Sequence, residues 1–264
     1  MVLAAQSDKR REFARAAVER FTAALPEGPL LIKPNVVSHE PYPTTTYPDM
    51  LDEVLGLFSG HNLIVADGPG ADLLRPAKIL REHELGRVCA RHGLELLNVY
   101  EQAMSKVSTA AGVTLELSGL PARAAGLVSL PVLKSHKICM MTGALKNHFG
   151  FLSKKQRGKL HFGLADIHQA IAALHQAAPG SLVIMDAIVT EIVTNEMRHG
   201  GQPTLLGYLL AGIDPVALDA FGLTLLQKVE PALQGLGPRD IPYLKYAAEW
   251  GLGELEYQVE WIEL

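Results

Sequence analysis

Short apolar runs of strand character alternate with amphipathic helical segments along most of this 264-residue chain. The strand-like runs lie at 30–33, 62–66, 94–99, 113–117, 126–133, 181–185, 205–211 and 255–262. Helical periodicity is found at 7–25, 47–58, 76–92, 164–177, 216–226 and 242–250. This alternation predicts an α/β fold with a mostly parallel central sheet flanked by helices. We expect a single α/β domain over residues 1–264, with residues 1–25 as an N-terminal helical segment.

The composition narrows the class of protein. Hydrophobic residues make up 48% of the chain and charged residues 20%, which supplies a core and argues against disorder. The net charge of −4 argues against a general nucleic-acid binder. Because no apolar run reaches a bilayer-spanning length and the N-terminus is not of signal-peptide type, we expect a cytoplasmic protein without a membrane partner. Two cysteines, Cys89 and Cys139, are too few for a disulfide framework and are predicted to be unpaired.

Polar side chains follow four of the predicted strands. They are Lys33 and Asn35 after the first, Asp67 after the second, Lys134 and His136 after the run at 126–133, and Asp186 after the run at 181–185. Because the carboxyl ends of parallel strands share one edge of a sheet, we expect these side chains to converge on a cleft. Each of two residues has an alternative that stays open. Lys33 could extend from a core strand into solvent, and Asp67 could only cap a turn.

The segment 133–162, called the basic segment below, holds seven Lys or Arg residues and three His residues but no Asp or Glu. We interpret it as a loop that binds a small anion, with Gly143 and Gly150 letting the backbone approach the ligand. Because its cations repel one another, we expect the loop to be mobile until an anion orders it. The alternative is a solvated basic surface loop.

These residues support three functional hypotheses. In the first, the chain is an enzyme that binds a small carboxylate or phosphorylated metabolite through Lys134 and Lys146. His136 or His161 then transfers a proton, since the pKa of histidine lies near neutrality, and an aspartate fixes the histidine tautomer. In the second, the chain binds an anion or a nucleotide without catalysis. A third hypothesis, a redox or racemising enzyme, requires a metal or an iron–sulfur partner, because no CxxC pair is present.

A set of short motifs extends through the chain. They are Lys33-Pro-Asn35, Asp67-Gly68, Pro131-Val-Leu-Lys134-Ser-His136, Thr142-Gly-Ala-Leu-Lys146-Asn147 with Gly150, His161, Asp186-Ala187 and Ala211-Gly-Ile-Asp214-Pro-Val-Ala-Leu-Asp219. Together they resemble the family called Domain of Unknown Function 362, over residues 29–252. Members of that family often carry ferredoxin-like cysteine modules, and this chain has none. The resemblance therefore implies that any iron–sulfur chemistry needs a ferredoxin-like partner.

The basic segment also resembles a part of the nickel-pincer lactate racemase family. His136, Lys146 and His161 occur in that family's order of histidine, lysine and second histidine. The resemblance implies that Lys146 carries a nickel-pincer nucleotide, that His161 ligates nickel and that His136 takes part in proton transfer. The Gly-Gly pair of that family is replaced here by Gly143-Ala144.

The predicted site therefore has two groups of residues. The catalytic candidates are His136, His161 and Lys146, with His161 also the candidate metal ligand. The substrate-binding candidates are Lys33, Asn35, Asp67, Lys134, Thr142 and Asn147. The expected ligand is a small anion, and a homodimer is an open hypothesis for the assembly.

Overall fold

The computed structural model describes residues 1–264 and contains twelve β-strands. They are β1 (Val2–Gln6), β2 (Leu30–Pro34), β3 (Leu63–Asp67), β4 (Leu96–Asn98), β5 (Met104–Ser108), β6 (Thr114–Ser118), β7 (Gly126–Leu130), β8 (Lys134–His136), β9 (Met140–Thr142), β10 (Leu182–Ile192), β11 (Gln202–Gly212) and β12 (Val259–Trp261). Eight of them form one sheet in the order β12-β1-β11-β10-β7-β2-β3-β4. Within this sheet only the β1–β11 and β10–β11 pairs are antiparallel, so the prediction of a mostly parallel central sheet is confirmed.

Nine α-helices connect and cover the strands. They are α1 (Arg10–Phe21), α2 (Pro48–Leu57), α3 (Pro76–Glu82), α4 (Glu84–Arg91), α5 (Ala144–Asn147), α6 (Lys154–His161), α7 (Ile167–Ala177), α8 (Pro215–Leu226) and α9 (Pro242–Glu249). None of these helices is both long enough and apolar enough to cross a bilayer.

The sheet is the middle of three layers. One face packs against α1, α2 and α4, and the opposite face packs against α5, α7, α8 and α9. Strand β1 shows how the sequence encodes both contacts, because side chains alternate between the faces of a strand. Val2 and Ala4 pack on the face covered by α5, α7, α8 and α9. Leu3 and Ala5 pack on the face covered by α1, α2 and α4.

Several predicted boundaries are wrong. Residues 2–6 form a strand instead of part of an N-terminal helix, because they pair with β11 and β12 inside the sheet. The predicted helix at 76–92 is two helices, since His83 has extended backbone angles and its Nδ1 accepts a hydrogen bond from Leu85 N. Residues 104–118 form a β5–β6 hairpin beside the main sheet. Both cysteines are buried and unpaired, as predicted.

Candidate active site

A cleft of about 640 Å³ lies at the edge of the sheet where β2 and β3 end. Its volume is in the range of sites for small molecules, roughly 300–1,000 Å³. The cleft is lined by all nine residues predicted for the site: Lys33, Asn35, Asp67, Lys134, His136, Thr142, Lys146, Asn147 and His161. The structure thus brings them together, while their catalytic and binding roles stay predictions.

The charges around the cleft favour an anion. Six lysine or arginine side chains line it, against three aspartate or glutamate side chains. One of those acids, Asp67, is already paired with Lys33. A concave surface with an excess of one charge concentrates ligands of the opposite sign, here within a chain of net charge −4.

The basic segment is not the loop that the sequence suggested. It folds into the β8–β9 hairpin followed by α5 and α6, and most of its residues are buried. Local signals explain the second helix. The Ser153 hydroxyl accepts a hydrogen bond from Gln156 N at its start, and Gly163, with φ of +71°, follows its end. Folding in this way directs Lys134, Lys146 and His136 into the cleft.

Lys33 and Asp67 form a buried ion pair that joins the ends of β2 and β3. The Lys33 Nζ to Asp67 Oδ1 distance is 2.5 Å, and both side chains are at most 2% exposed. Asp67 also accepts hydrogen bonds from Val36 N and Gly68 N. Burial lowers the pKa of Lys33, and the Asp67 carboxylate opposes that shift. Lys33 therefore does not extend into solvent, and Asp67 is both a turn cap and an ion-pair partner.

Lys134 is fully buried on the floor of the cleft. Its Nζ donates hydrogen bonds to Asn35 Oδ1 at 3.0 Å and to the Thr44 carbonyl at 2.5 Å. Burial lowers the pKa of Lys134 to about 8. Two of its three N–H groups are thus occupied, and Asn35 serves to orient this lysine.

Lys146 differs from the other two lysines because its amine makes no hydrogen bond or ion pair. Its Nζ lies 5.5 Å from the centre of the Phe149 ring, and the side chain is only half-buried. Loss of water around the ammonium lowers the pKa of Lys146. Among Lys33, Lys134 and Lys146, only Lys146 therefore has an amine that is free to meet a ligand.

His136 is held in one tautomer by its own backbone. Its Nδ1 accepts hydrogen bonds from Ile138 N and Cys139 N, both at 3.1 Å. Because Nδ1 is an acceptor, the neutral ring carries its proton on Nε2. Burial, followed by the nearby Lys146, lowers the pKa of His136 well below 6.5. His136 is therefore a neutral hydrogen-bond donor at Nε2 and not a free base.

His161 is held in the opposite tautomer. Its Nδ1 lies 2.8 Å from the Arg157 carbonyl, one turn earlier in α6, and a carbonyl can only accept. The proton therefore resides on Nδ1, and Nε2 has a free lone pair. Burial of part of the ring lowers the pKa of His161, so the ring is neutral at pH 7. A histidine with its Nδ1–H donated to a carbonyl suits either a proton acceptor or a metal ligand.

Thr142 and Asn147 present buried oxygen atoms without partners. The Asn147 amide donates to the Lys33 carbonyl and to Ser129 Oγ, which fixes its orientation. Asn147 Oδ1 and Thr142 Oγ1 make no hydrogen bond. Because buried polar atoms without partners are costly, these atoms are suited to a ligand that donates an O–H or N–H group.

The prediction that Asp186 joins the cleft is wrong. Its carboxylate is occupied by Arg10 Nε at 2.6 Å and by the Tyr42 hydroxyl at 2.8 Å, outside the cleft. The physical reason is the length of the strand. The sequence suggested that the strand ends at position 185, but β10 continues to Ile192 because it pairs with β11 along its length.

Sequence reasoning also missed residues that shape the cleft. Arg157 Nη1 donates to the carbonyls of Gly68 and Pro69, and so holds the turn after β3. Its position one turn before His161 was the available signal. Glu196 and His199 reach the cleft from the β10–β11 connection. No local motif marks them, because only the pairing of two long strands brings that connection to the site.

The cleft lacks a complete set of metal ligands. The structure places no three His, Cys, Asp or Glu side chains together in a way that could hold a metal ion. His161 has a suitable lone pair, but further donors would have to come from a ligand. The cleft therefore supplies one imidazole lone pair, at His161 Nε2, and no complete set of metal ligands.

The fold is similar to the structure of the lactate racemase apoprotein from Thermoanaerobacterium thermosaccharolyticum, with a TM-score of 0.54 and 15% sequence identity. The match covers 81% of this chain and 54% of the racemase chain, so this chain spans about half the length of that protein. No curated protein matches significantly. The family model described as Domain of unknown function (DUF362) matches residues 30–224, which is more than half of the chain. The chain therefore belongs to the Domain of Unknown Function 362 family.

Proposed function

We propose that this protein is an enzyme that binds a small carboxylate metabolite in the cleft and removes a proton from the carbon beside the carboxylate. The observation that carries the proposal is the pair of opposite histidine tautomers. The backbone keeps His136 as a donor at Nε2 and leaves His161 with a free lone pair at Nε2. One acceptor and one donor in one cleft are the two groups that proton abstraction requires.

The lysines supply the charge in this proposal. Lys146, whose amine has no protein partner, holds the carboxylate, and the remaining N–H of Lys134 faces the same anion from the floor. When His161 Nε2 takes the proton, the electron pair moves toward the carboxylate carbon and negative charge grows on its oxygens. Lys146 and the Nε2–H of His136 stabilise that charge. The Arg157 carbonyl stabilises the imidazolium that His161 becomes.

The comparison with the racemase supports an enzyme as far as fold is concerned. A shared fold does not establish a shared reaction, so the similarity to the racemase identifies no substrate for this chain. The arrangement of His136, Lys146 and His161 in this chain is what supports the chemistry.

The proposal is tested by hydrogen exchange. The purified protein is incubated in D₂O with a panel of 2-hydroxy and 2-amino carboxylic acids, and loss of the α-proton is followed by NMR. We expect exchange for at least one acid, and a fall of about 10²–10⁴-fold in His161→Asn, the size of a general-base contribution. Sulfate should raise the melting temperature of the parent, because a ligand that binds only the native state stabilises it.

Two variants separate binding from catalysis. Lys146→Ala should lose most of the stabilisation by sulfate, whereas Lys155→Ala, exposed on the neighbouring helix α6, should keep it. His161→Asn should keep sulfate binding while it loses exchange. Parental exchange in His161→Asn would refute the base assignment. Sulfate stabilisation that is equal in all variants would refute the anion site, and binding without any exchange would favour a non-catalytic binding protein.

A second candidate function is favoured by the free amine of Lys146. An amine with a lowered pKa is a suitable point of covalent attachment for a cofactor. His161 lies in the same cleft as Lys146, and its Nε2 could act as a metal ligand. A nickel-pincer nucleotide held by these two residues would supply a metal centre for racemising or redox chemistry. Intact-mass analysis of the purified protein tests this, with Lys146→Arg as the control. An unmodified mass after expression with a full cofactor pathway and nickel would contradict it.

A further inference from the structure

Asp219 lies one turn into α8 and is fully buried, yet both of its oxygens are used outside its own helix. Oδ1 accepts a hydrogen bond from Ala144 N at 2.5 Å, and Oδ2 accepts one from Leu145 N at 3.1 Å. These are the first two residues of α5, the helix that carries Lys146. A carboxylate on one element thus caps the turn that positions the free amine.

The length of α5 makes this contact important. The helix has only four residues, so its first N–H groups have no partners within the helix. Gly143 precedes it, and a Cβ at that position would overlap the Asp219 carboxylate. The Gly143-Ala144-Leu145 turn can therefore close on Asp219 only because residue 143 has no side chain.

We propose that Asp219 is a positioning residue for Lys146. Its ionised carboxylate clamps the first turn of α5 and so sets where the Lys146 amine projects into the cleft. The inference rests on the proposed function for the identity of what Lys146 binds. The clamp itself rests on the two hydrogen bonds and on the close approach of Gly143.

The clamp is sensitive to pH. Burial raises the pKa of Asp219 to about 7, Tyr243 from α9 opposes this shift, and Asp214 at the start of α8 adds to it. Tyr243 stays neutral because burial raises its pKa well above 10, and the thiol of Cys139 beside it is neutral because burial raises its pKa to about 11. Protonation turns one Asp219 oxygen into a donor, which removes one of the two N–H contacts.

The direction of the effect is distinctive. As pH falls through about 7, the clamp loosens and anion binding weakens, because Lys146 is no longer held in place. The charge of a lysine alone would give the opposite trend, since lysine gains positive charge as pH falls. Sulfate is the probe of choice because its charge is constant over this range.

The test combines sulfate binding with the reactivity of Lys146. Competitive acetylation followed by peptide mass spectrometry compares Lys146 with Lys155, an exposed lysine of the neighbouring helix α6. Asp219→Asn should change the ratio of Lys146 to Lys155 acetylation. It should weaken sulfate binding at pH 8 by about tenfold, because one hydrogen bond to a charged group is lost. It should also abolish the fall in sulfate binding between pH 8 and 6. Asp214→Asn is the matched control, because Asp214 caps α8 through Val216 N and Ala217 N. It should leave the ratio unchanged.

A milder variant still tests the role of Asp219 if Asp219→Asn fails to fold. Tyr243→Phe removes the hydroxyl that lowers the pKa of Asp219, so the midpoint of sulfate binding should move to higher pH. An unchanged Lys146 ratio and an unchanged pH profile in these variants would overturn the role of Asp219. If the parent binds no sulfate, the proposed anion site fails instead, and the acetylation ratio still decides whether Asp219 positions Lys146.

Discussion

Replacing Asp67 by asparagine should destabilise the fold by about 3–5 kcal/mol, because it leaves the ammonium of Lys33 buried without its counter-charge. Both side chains are at most 2% exposed, so water cannot compensate for the lost partner. The asparagine oxygen can still accept from Lys33 and from Gly68 N. Its amide nitrogen, however, would face the N–H of Val36, which now donates to the carboxylate. One buried backbone donor would thus lose its acceptor.

Urea unfolding at pH 7 measures this loss of stability. Glu82→Gln is the control, because Glu82 pairs with Lys78 on the exposed surface and should cost at most about 1 kcal/mol. The double variant Lys33→Met, Asp67→Asn should cost less than Asp67→Asn alone, since it also removes the unpaired ammonium. A cost below about 1 kcal/mol for Asp67→Asn, or a double variant no more stable than the single one, would show that Lys33 does not depend on Asp67 for its stability in the core.

The pH dependence gives a second check on the same pair. Burial already lowers the pKa of Lys33, and removal of Asp67 lowers it further. Between that lowered value and the unfolded value of about 10.4, the unfolded state binds more protons than the native state. The pKa of Lys33 lies further below the unfolded value in Asp67→Asn than in the parent, so the difference in stability between the two should narrow as pH increases, and a gap that widens would contradict the assignment.

Further predictions concern glycines, thiols and pH. Gly150→Ala should destabilise the protein by about 1–3 kcal/mol in the urea assay, because its Cβ would overlap Asp67 and come within 2.9 Å of Lys33 Nζ. Gly158→Ala should stabilise the protein by about 1 kcal/mol in the same assay, because Gly158 lies in α6 with open space around it. Cys89 and Cys139 should react slowly with a thiol reagent in the native state, because burial raises their pKa values to about 12 and 11, and both should react after denaturation without reductant. At saturating substrate, turnover should fall as pH drops below the ordinary histidine pKa of about 6.5, because protonated His161 cannot accept a proton and burial keeps its pKa below that ordinary value; a rate that rises there would contradict its role as a base.

The sequence and the structure agree where a residue's place depends on local signals. The alternation of strands and helices predicted the α/β sheet, and strand ends predicted the convergence of Lys33, Asp67 and Lys134 on one cleft. Asp186 was misplaced because a strand's end depends on its pairing partner. The N-terminal strand β1 was missed for the same reason, since its order comes from β11 and β12.

The fold class and the set of residues that could act follow from the amino-acid sequence, because hydrophobic periodicity and the residue types at strand ends are local properties. What those residues can do depends on how the chain packs. The tautomers of His136 and His161 depend on which backbone groups meet their Nδ1 atoms, and the freedom of Lys146 depends on the absence of a partner. Asp219 contacts Ala144 and Leu145, from which it is separated by 75 and 74 positions in the sequence, and such contacts form only when the chain has packed.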